Sequence, residues 1–365
     1  MTTNRFCAAR PSTLDQRERV RGTRPPGGCG RHRARGAILA ALAALAPVTL
    51  PHIAAAQSLV EQCWSPADLA ARPEEKSPRR GAAGHAQRVP AVQLQSFTPI
   101  APNLRGSIRR VTLPKGKRMI ALTFDLCEQA GEIAGYDGAI VDYLRGNNVK
   151  ATFFAGGKWL TTHVERSEQL MADRRFEIGS HGWVHRNVRG LAGTALGGEI
   201  VGPQMAYEAV RARLGARQCV ARTPAAMSRV AARIGLYRFP YGACNDAALA
   251  ALATNGLLGV QWDVSAGDAA PTQSATVIAN AVTRSVRPGS IVLLHANGRG
   301  YNTAAALPLM IPKLRSMGYE LVTVSELLAA GTPEIAATCY DHKPGDTDRY
   351  DRVFAAFRTE VRRGP

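Results

Sequence analysis

The sequence predicts an α/β protein built on a distorted (β/α) barrel of about seven strands. Three observations carry this reading. From about residue 118 onward, short apolar segments alternate with polar loops and helical stretches, the rhythm of a parallel sheet wrapped by helices. Seven such units in about 220 residues favour closure over an open sheet. The polar residues that close the apolar segments are few and chemically alike, as expected where working groups collect at the C-terminal ends of barrel strands.

The chain has 365 residues, 45% of them hydrophobic and 20% charged, which suits a folded protein with a large core. Residues 1–56 read differently. Nine arginines between Arg5 and Arg35 face only Asp15 and Glu18, then an apolar run from Ala37 to Leu50 leads to Ala54-Ala55-Ala56. A basic start, a short apolar core and small residues at a cut site make a secretory signal with an extended basic n-region. The apolar run is short for a membrane span and is interrupted by Pro47 and followed by Pro51. The reading is therefore an exported protein, periplasmic or secreted, with no stable membrane insertion after cleavage; a retained anchor is the alternative. The leader accounts for +7 of the formal +18, leaving about +11 on the mature chain. That charge suits polyanionic surroundings such as cell-wall polymers. Without a basic stripe interleaved with aromatics, a nucleic-acid partner is not expected.

Residues 57–105 are rich in Pro, Ala, Arg and Gln and read as a linker or irregular N-terminal arm, with Cys63 and Trp64 as an anchoring point. Residues 106–335 hold the barrel. Its expected strands are Met119–Phe124, Ala151–Phe154, Phe176–Gly179, Leu236–Phe239, Gly259–Trp262, Ile291–Leu294 and Glu320–Val322. Helices are expected at Gly138–Asn147, Ser167–Ala172, Gly202–Leu214, Asp246–Asn255, Ser274–Val286, Thr303–Met317 and Ser325–Ala330. Residues 336–365 form a polar tail expected to pack outside the barrel. Five cysteines follow the leader, an odd number with no CxxC pair, so disulfides are expected and a cysteine-based zinc site is not.

The strand ends supply the candidate chemistry. Asp125 follows Leu122-Thr123-Phe124; His181 and His185 follow the third strand; Arg238 and Tyr241 follow the fourth; Asp263 and Asp268 follow Trp262; His295 follows Ile291-Val292-Leu293-Leu294. Two histidines four apart share a face if the segment is helical and make a platform for a divalent metal such as zinc; an isolated pair reads more often as surface or core histidines, and the place of this one just after a strand and a Gly-Ser turn strengthens the metal reading. Asp125 suits a general base drawing a proton from a metal-held water; as a lone residue it reads more readily as a helix N-cap or loop aspartate. His295, closing an apolar strand, suits a proton donor to a leaving amine, or a core histidine with satisfied hydrogen bonds.

Taken in order, these pieces resemble the NodB-type polysaccharide deacetylases, carbohydrate esterase family 4, over roughly residues 115–330. Thr123-Phe124-Asp125 resembles the first motif, whose leading aspartate is the catalytic base. Ser180-His181-Gly182-Trp183-Val184-His185 resembles the second, the metal-binding histidine pair. Arg238-Phe239-Pro240-Tyr241-Gly242 is similar to the third, which implies that Arg238 holds the base and that the Tyr241 backbone N–H binds the oxyanion. Trp262 to Asp268 resembles the fourth, making Asp268 the partner of the acid histidine and Trp262 a substrate contact. Leu293-Leu294-His295 resembles the fifth, with His295 as general acid and Leu293 beside the acetyl methyl. The resemblance implies a hydrolase that removes N-acetyl groups from acetylated amino-sugar polysaccharide with a divalent metal, zinc by expectation. Two departures stand out. The family's second aspartate, which completes the metal site, is here Leu126, so Glu128 becomes a candidate third ligand. The fourth motif ends Asp268-Ala269, without the usual tryptophan. Placing Cys127 and Cys244 on one rim suggests a disulfide between them, with Cys63–Cys339 as a second bridge. Competing readings are the same fold acting on O-acetyl esters or a small amide, and a catalytically impaired cell-wall-binding protein.

Overall fold

A computed structural model describes residues 58–81, 97–222 and 224–351; the leader of residues 1–56 lies outside them. Ten strands form the main sheet: β1 (Ser107–Thr112), β2 (Met119–Leu126), β3 (Ala151–Ala155), β4 (Phe176–Ser180), β5 (Leu236–Tyr237), β6 (Leu258–Val260), β7 (Val264–Ser265), β8 (Ile291–His295), β9 (Glu320–Val322) and β10 (Thr332–Ala336). The spatial order is β10-β1-β6-β5-β4-β3-β2-β8-β7, with β9 alongside the start of β2. β6 and β7 are the two ends of one extended segment. β6 pairs with β5 and β7 pairs with β8, so parallel pairing runs from β2 through β3, β4 and β5 and returns through β8 to β2. This is the distorted barrel expected from the strand–helix rhythm. The expected strand Gly259–Trp262 is broken because its partner changes midway. The Gln261 N–H donates to Ile108 in β1, whereas the Asp263 N–H donates to Ile291 in β8.

Strand alternation sorts the side chains onto two faces. In β2, Ile120, Leu122, Phe124 and Leu126 join the larger core, with Phe153 of β3 and with Val292 and Leu294 of β8, beneath the surrounding helices. The intervening residues face the barrel interior. There Ala121, Phe154, Val260, Ile291, Leu293 and Val322 form a second, smaller core. Both faces are apolar, which is why these strands read as continuous hydrophobic runs. The inner face turns polar only towards the strand ends, at Thr123, Asp125, Arg238 and His295.

The N-terminal arm is more regular than its composition suggests. Short helices at Leu59–Cys63 and Pro66–Leu69 carry serine capping boxes and place Leu59, Val60, Trp64 and Leu69 in the larger core. Cys63 is bonded to Cys219. Residues 82–96 of the arm lie outside the described residues. The helix expected at Gly202–Leu214 starts earlier, at Gly193, and runs to Gly215 through Pro203. Its glycines and proline mask the helical period.

The tail is bound on the barrel as far as it is described. β10 pairs antiparallel with β1, Arg109 donates to the carbonyls of Tyr340 and Asp341, and Arg189 pairs with Asp348 and Asp351. Cys339 is bonded to Cys244. Both expected disulfides are thereby corrected. Cys244 sits with Cys339 in a third apolar cluster beside Tyr237 and Phe239, whereas Cys127, just past the end of β2, is a free, buried thiol. Cys63 docks on the helix Gln218–Ala221 rather than on the tail.

Candidate active site

Asp125 and His295 stand side by side because β2 and β8 are parallel neighbours in which these two residues are register partners. Each is held by an oppositely charged or hydrogen-bonding group. Arg238 donates from Nη1 to Asp125 Oδ1 at 2.9 Å and to Thr123 Oγ1 at 2.7 Å. Its other N–H groups go to the Val260 and Gln261 carbonyls, and its guanidinium lies 4.0 Å from the Phe154 ring centroid. The fully buried arginine is thus locked in one orientation. Burial alone would raise Asp125, but the positive charge of its neighbours (His181 when protonated, Arg238 and His295) outweighs it and holds the carboxyl below the usual carboxylate range.

Asp268 grips His295 twice. Oδ2 accepts the His295 backbone N–H at 2.7 Å, and Oδ1 accepts from ring Nδ1 at 2.9 Å, which leaves Nε2 as the outward nitrogen. Thr303 Oγ1 fixes the carboxylate from behind at 2.6 Å. Burial opposes the charged imidazole, yet the Asp268 charge and hydrogen bond prevail and push His295 above its ordinary value.

His181 and His185 come together without a helix. His181 leaves the end of β4, Gly182 turns the chain at φ 73°, and His185 itself adopts φ 56°. The turn closes on Glu199, whose Oε2 accepts the N–H groups of Trp183 (2.7 Å) and Val184 (3.3 Å). A side chain on Gly182 would meet that carboxylate at 3.0 Å. The His181 and His185 ring centroids end 5.0 Å apart. His181 Nδ1 donates to the Arg238 carbonyl at 2.9 Å, so Nε2 carries the lone pair and faces Asp125 Oδ2 at 3.3 Å. His185 Nδ1 is buried with no hydrogen-bond partner. Cys127 Sγ, His181 and His185 offer donor atoms all within 4.8 Å of one another. Two imidazoles with unspent lone pairs in one buried cluster fit a borderline-soft divalent cation such as zinc.

Three expectations need correction. Glu128 is fully buried away from the histidines: Lys158 lies 2.9 Å from its Oε1, and Thr162 and the Ala134 N–H donate to it. A carboxylate neutralised this way does not complete the cluster. Trp262 is also buried, its indole N–H on Asp341 Oδ1 at 3.0 Å and its ring under Gly242, so it buttresses Arg238 instead of offering a face to sugar. Asp263 accepts from the Ile291 N–H and the Ser290 hydroxyl at the start of β8 and is structural. Leu293 lies on the inner face opposite Thr123, one inward position below His295. Tyr241 is held at φ 61°, its ring between His185 (4.4 Å) and Tyr350 of the tail (5.0 Å). Sequence reading missed Cys127, Thr303, Glu199 and Tyr350. Of these, only Cys127 had a signal, its position two residues beyond Asp125 in sequence.

Comparison with known proteins shows the family and the fold. A family profile described as "Polysaccharide deacetylase" matches residues 112–260. A chitooligosaccharide deacetylase of Sinorhizobium fredii is 30% identical over 225 residues, covering 57% of this chain and 92% of that protein. The chain belongs to the polysaccharide deacetylase family. The peptidoglycan-N-acetylglucosamine deacetylase PgdA of Listeria monocytogenes is 28% identical over 226 residues, 61% of this chain; the match spans only 42% of PgdA. The crystal structure of a peptidoglycan N-acetylglucosamine deacetylase superposes with a TM-score of 0.50 at 24% identity, covering 65% of this chain and all of that one, and shares the fold. Among the described residues no helix is long and apolar enough to cross a membrane.

Proposed function

We propose that this deacetylase-family chain is a metal-dependent hydrolase that removes N-acetyl groups from amino-sugar polysaccharide or oligosaccharide of the cell wall or an exopolysaccharide. The observation that carries the reading is the opposed pair at the top of β2 and β8: the Asp125 carboxylate, hydrogen-bonded by Arg238, stands beside the His295 imidazole, hydrogen-bonded to Asp268. Amide hydrolysis needs both, a base for the attacking water and an acid for a nitrogen that leaves poorly as an anion.

A divalent cation held by His181 and His185 supplies Lewis acidity to the reacting centre. Asp125 Oδ2 takes the proton of the attacking water while Arg238 keeps Oδ1 oriented. The Tyr241 backbone N–H, set by its left-handed conformation, donates to the oxygen that gains charge as the carbonyl becomes tetrahedral. His295 Nε2–H then passes its proton to the amine, and Asp268 stabilises the imidazolium until that transfer. Leu293, on the inner face below His295, is suited to receive the acetyl methyl. The named activities of the relatives from Listeria and Sinorhizobium point to N-acetylglucosamine polymers as the substrate class. The basic leader and two disulfides suit an exported, periplasmic or secreted enzyme.

The test is acetate release from N-acetylglucosamine oligomers and from peptidoglycan, with added zinc and with chelator. Release that chelator abolishes and zinc restores supports the reading. No release from any acetylated sugar by folded, metal-loaded protein refutes it.

A further inference from the structure

We infer that Cys127 Sγ is the third protein ligand of the metal centre, and that its sulfur–nitrogen–nitrogen donor set selects zinc over harder cations such as manganese or magnesium. The inference rests on the metal-dependent reading above and specifies what that reading leaves open.

Asp125 lies on the inner face of β2 and Cys127 is the first residue beyond that strand, whereas Leu126, the strand's last residue, is fully buried in the outer core. The position where family members carry a metal-binding aspartate is therefore committed to packing here. The residue that follows is a thiol, and its sulfur lies in one cluster with the donor atoms of both histidines. Glu128, the nearest carboxylate in sequence, is held by Lys158, so it supplies no competing ligand.

Two further features suit a ligating sulfur. Asn297 Nδ2 donates to Cys127 Sγ at 3.1 Å and to the Cys127 carbonyl at 2.9 Å. Such an amide donor orients the side chain and stabilises negative charge on sulfur, the usual role of a group behind a metal ligand. The four other cysteines among the described residues are paired as Cys63–Cys219 and Cys244–Cys339, which leaves Cys127 reduced within the fold. A thiolate with two imidazoles and an open position is a donor set that zinc and cobalt favour, whereas magnesium and manganese prefer oxygen.

Cobalt titration reads the ligand directly. Purified chain is stripped with chelator and titrated with Co2+, and the spectrum is followed from the near ultraviolet to the visible. The expected result is an intense near-ultraviolet thiolate-to-cobalt band saturating at one equivalent. Cys127→Ala should lose that band and bind cobalt at least tenfold more weakly. Cys127→Asp should regain affinity without the band and lose the preference for zinc over manganese. Visible cobalt bands with no thiolate band in the unmodified protein overturn the ligand assignment while leaving the metal centre and the deacetylase reading standing. Failure to bind one equivalent of cobalt overturns both. The unmodified protein's spectrum decides the first question even if a variant does not fold.

Discussion

Asp125 and His295 are register partners on adjacent parallel strands, so the residues read as base and acid occupy the same level of the barrel wall. Each carries its own counter-group, Arg238 on one side and Asp268 on the other. The carboxyl is shifted downward by His181, Arg238 and His295 together, and the imidazole upward by Asp268.

Asp268→Asn removes the charge that raises His295. The working acid is the protonated imidazole, so activity falls as pH rises through the His295 value. The raised value places that loss above the ordinary imidazole range in the unmodified protein. With asparagine, burial acts unopposed by that charge, and the basic limb of the kcat/KM profile should move to lower pH. An unchanged basic limb would separate Asp268 from the acid.

Arg238→Met leaves Asp125 buried beside His181 without its main hydrogen-bonding cation. Breaking a buried pair from one side costs about 3–5 kcal/mol, read as a fall in the denaturation midpoint at neutral pH. Because the folded-state value of Asp125 is depressed, its contribution is present above the unfolded carboxylate range and is lost as pH falls through the depressed value. The difference between the two proteins should therefore shrink in strong acid.

Glu199→Ala frees the N–H groups of Trp183 and Val184 that hold the histidine turn. His185 then loses its fixed position, and metal affinity should fall by roughly 10–100-fold, measured by competition with a chromophoric chelator. Unchanged affinity would show that the turn holds its shape without the carboxylate.

Replacing both Cys244 and Cys339 with serine unties the tail from the barrel. The bridge closes a separation of 95 residues, and its loss should cost about 2–4 kcal/mol of stability. Tyr350 packs against Tyr241, so substrate KM should rise as well. A stability loss with unchanged KM would confine the tail to a structural role.

The barrel was legible because its strands are apolar on both faces and separated by turn residues, as in Ile291–Leu294. The break between β6 and β7 was hidden, since a change of partner leaves no mark on the run Gly259–Trp262. Asp125, His181, Arg238 and His295 were legible from order and spacing, and the structure brings them together. Glu128 and Trp262 failed for one reason: proximity in sequence to a motif does not say which way a side chain points. Lys158, distant in sequence, claims Glu128, and Asp341 of the tail claims Trp262. The disulfides were illegible because pairing depends on where the arm and tail dock, which Cys63 and Cys339 alone do not encode.

The most direct test of the central claim is acetate release from an N-acetylglucosamine oligomer by zinc-loaded protein, compared with Asp125→Asn and His295→Asn. Metal-dependent release by the unmodified protein should fall by roughly 100-fold or more in each variant, while both still bind zinc. Release that persists at the unmodified rate in either variant would contradict the claim.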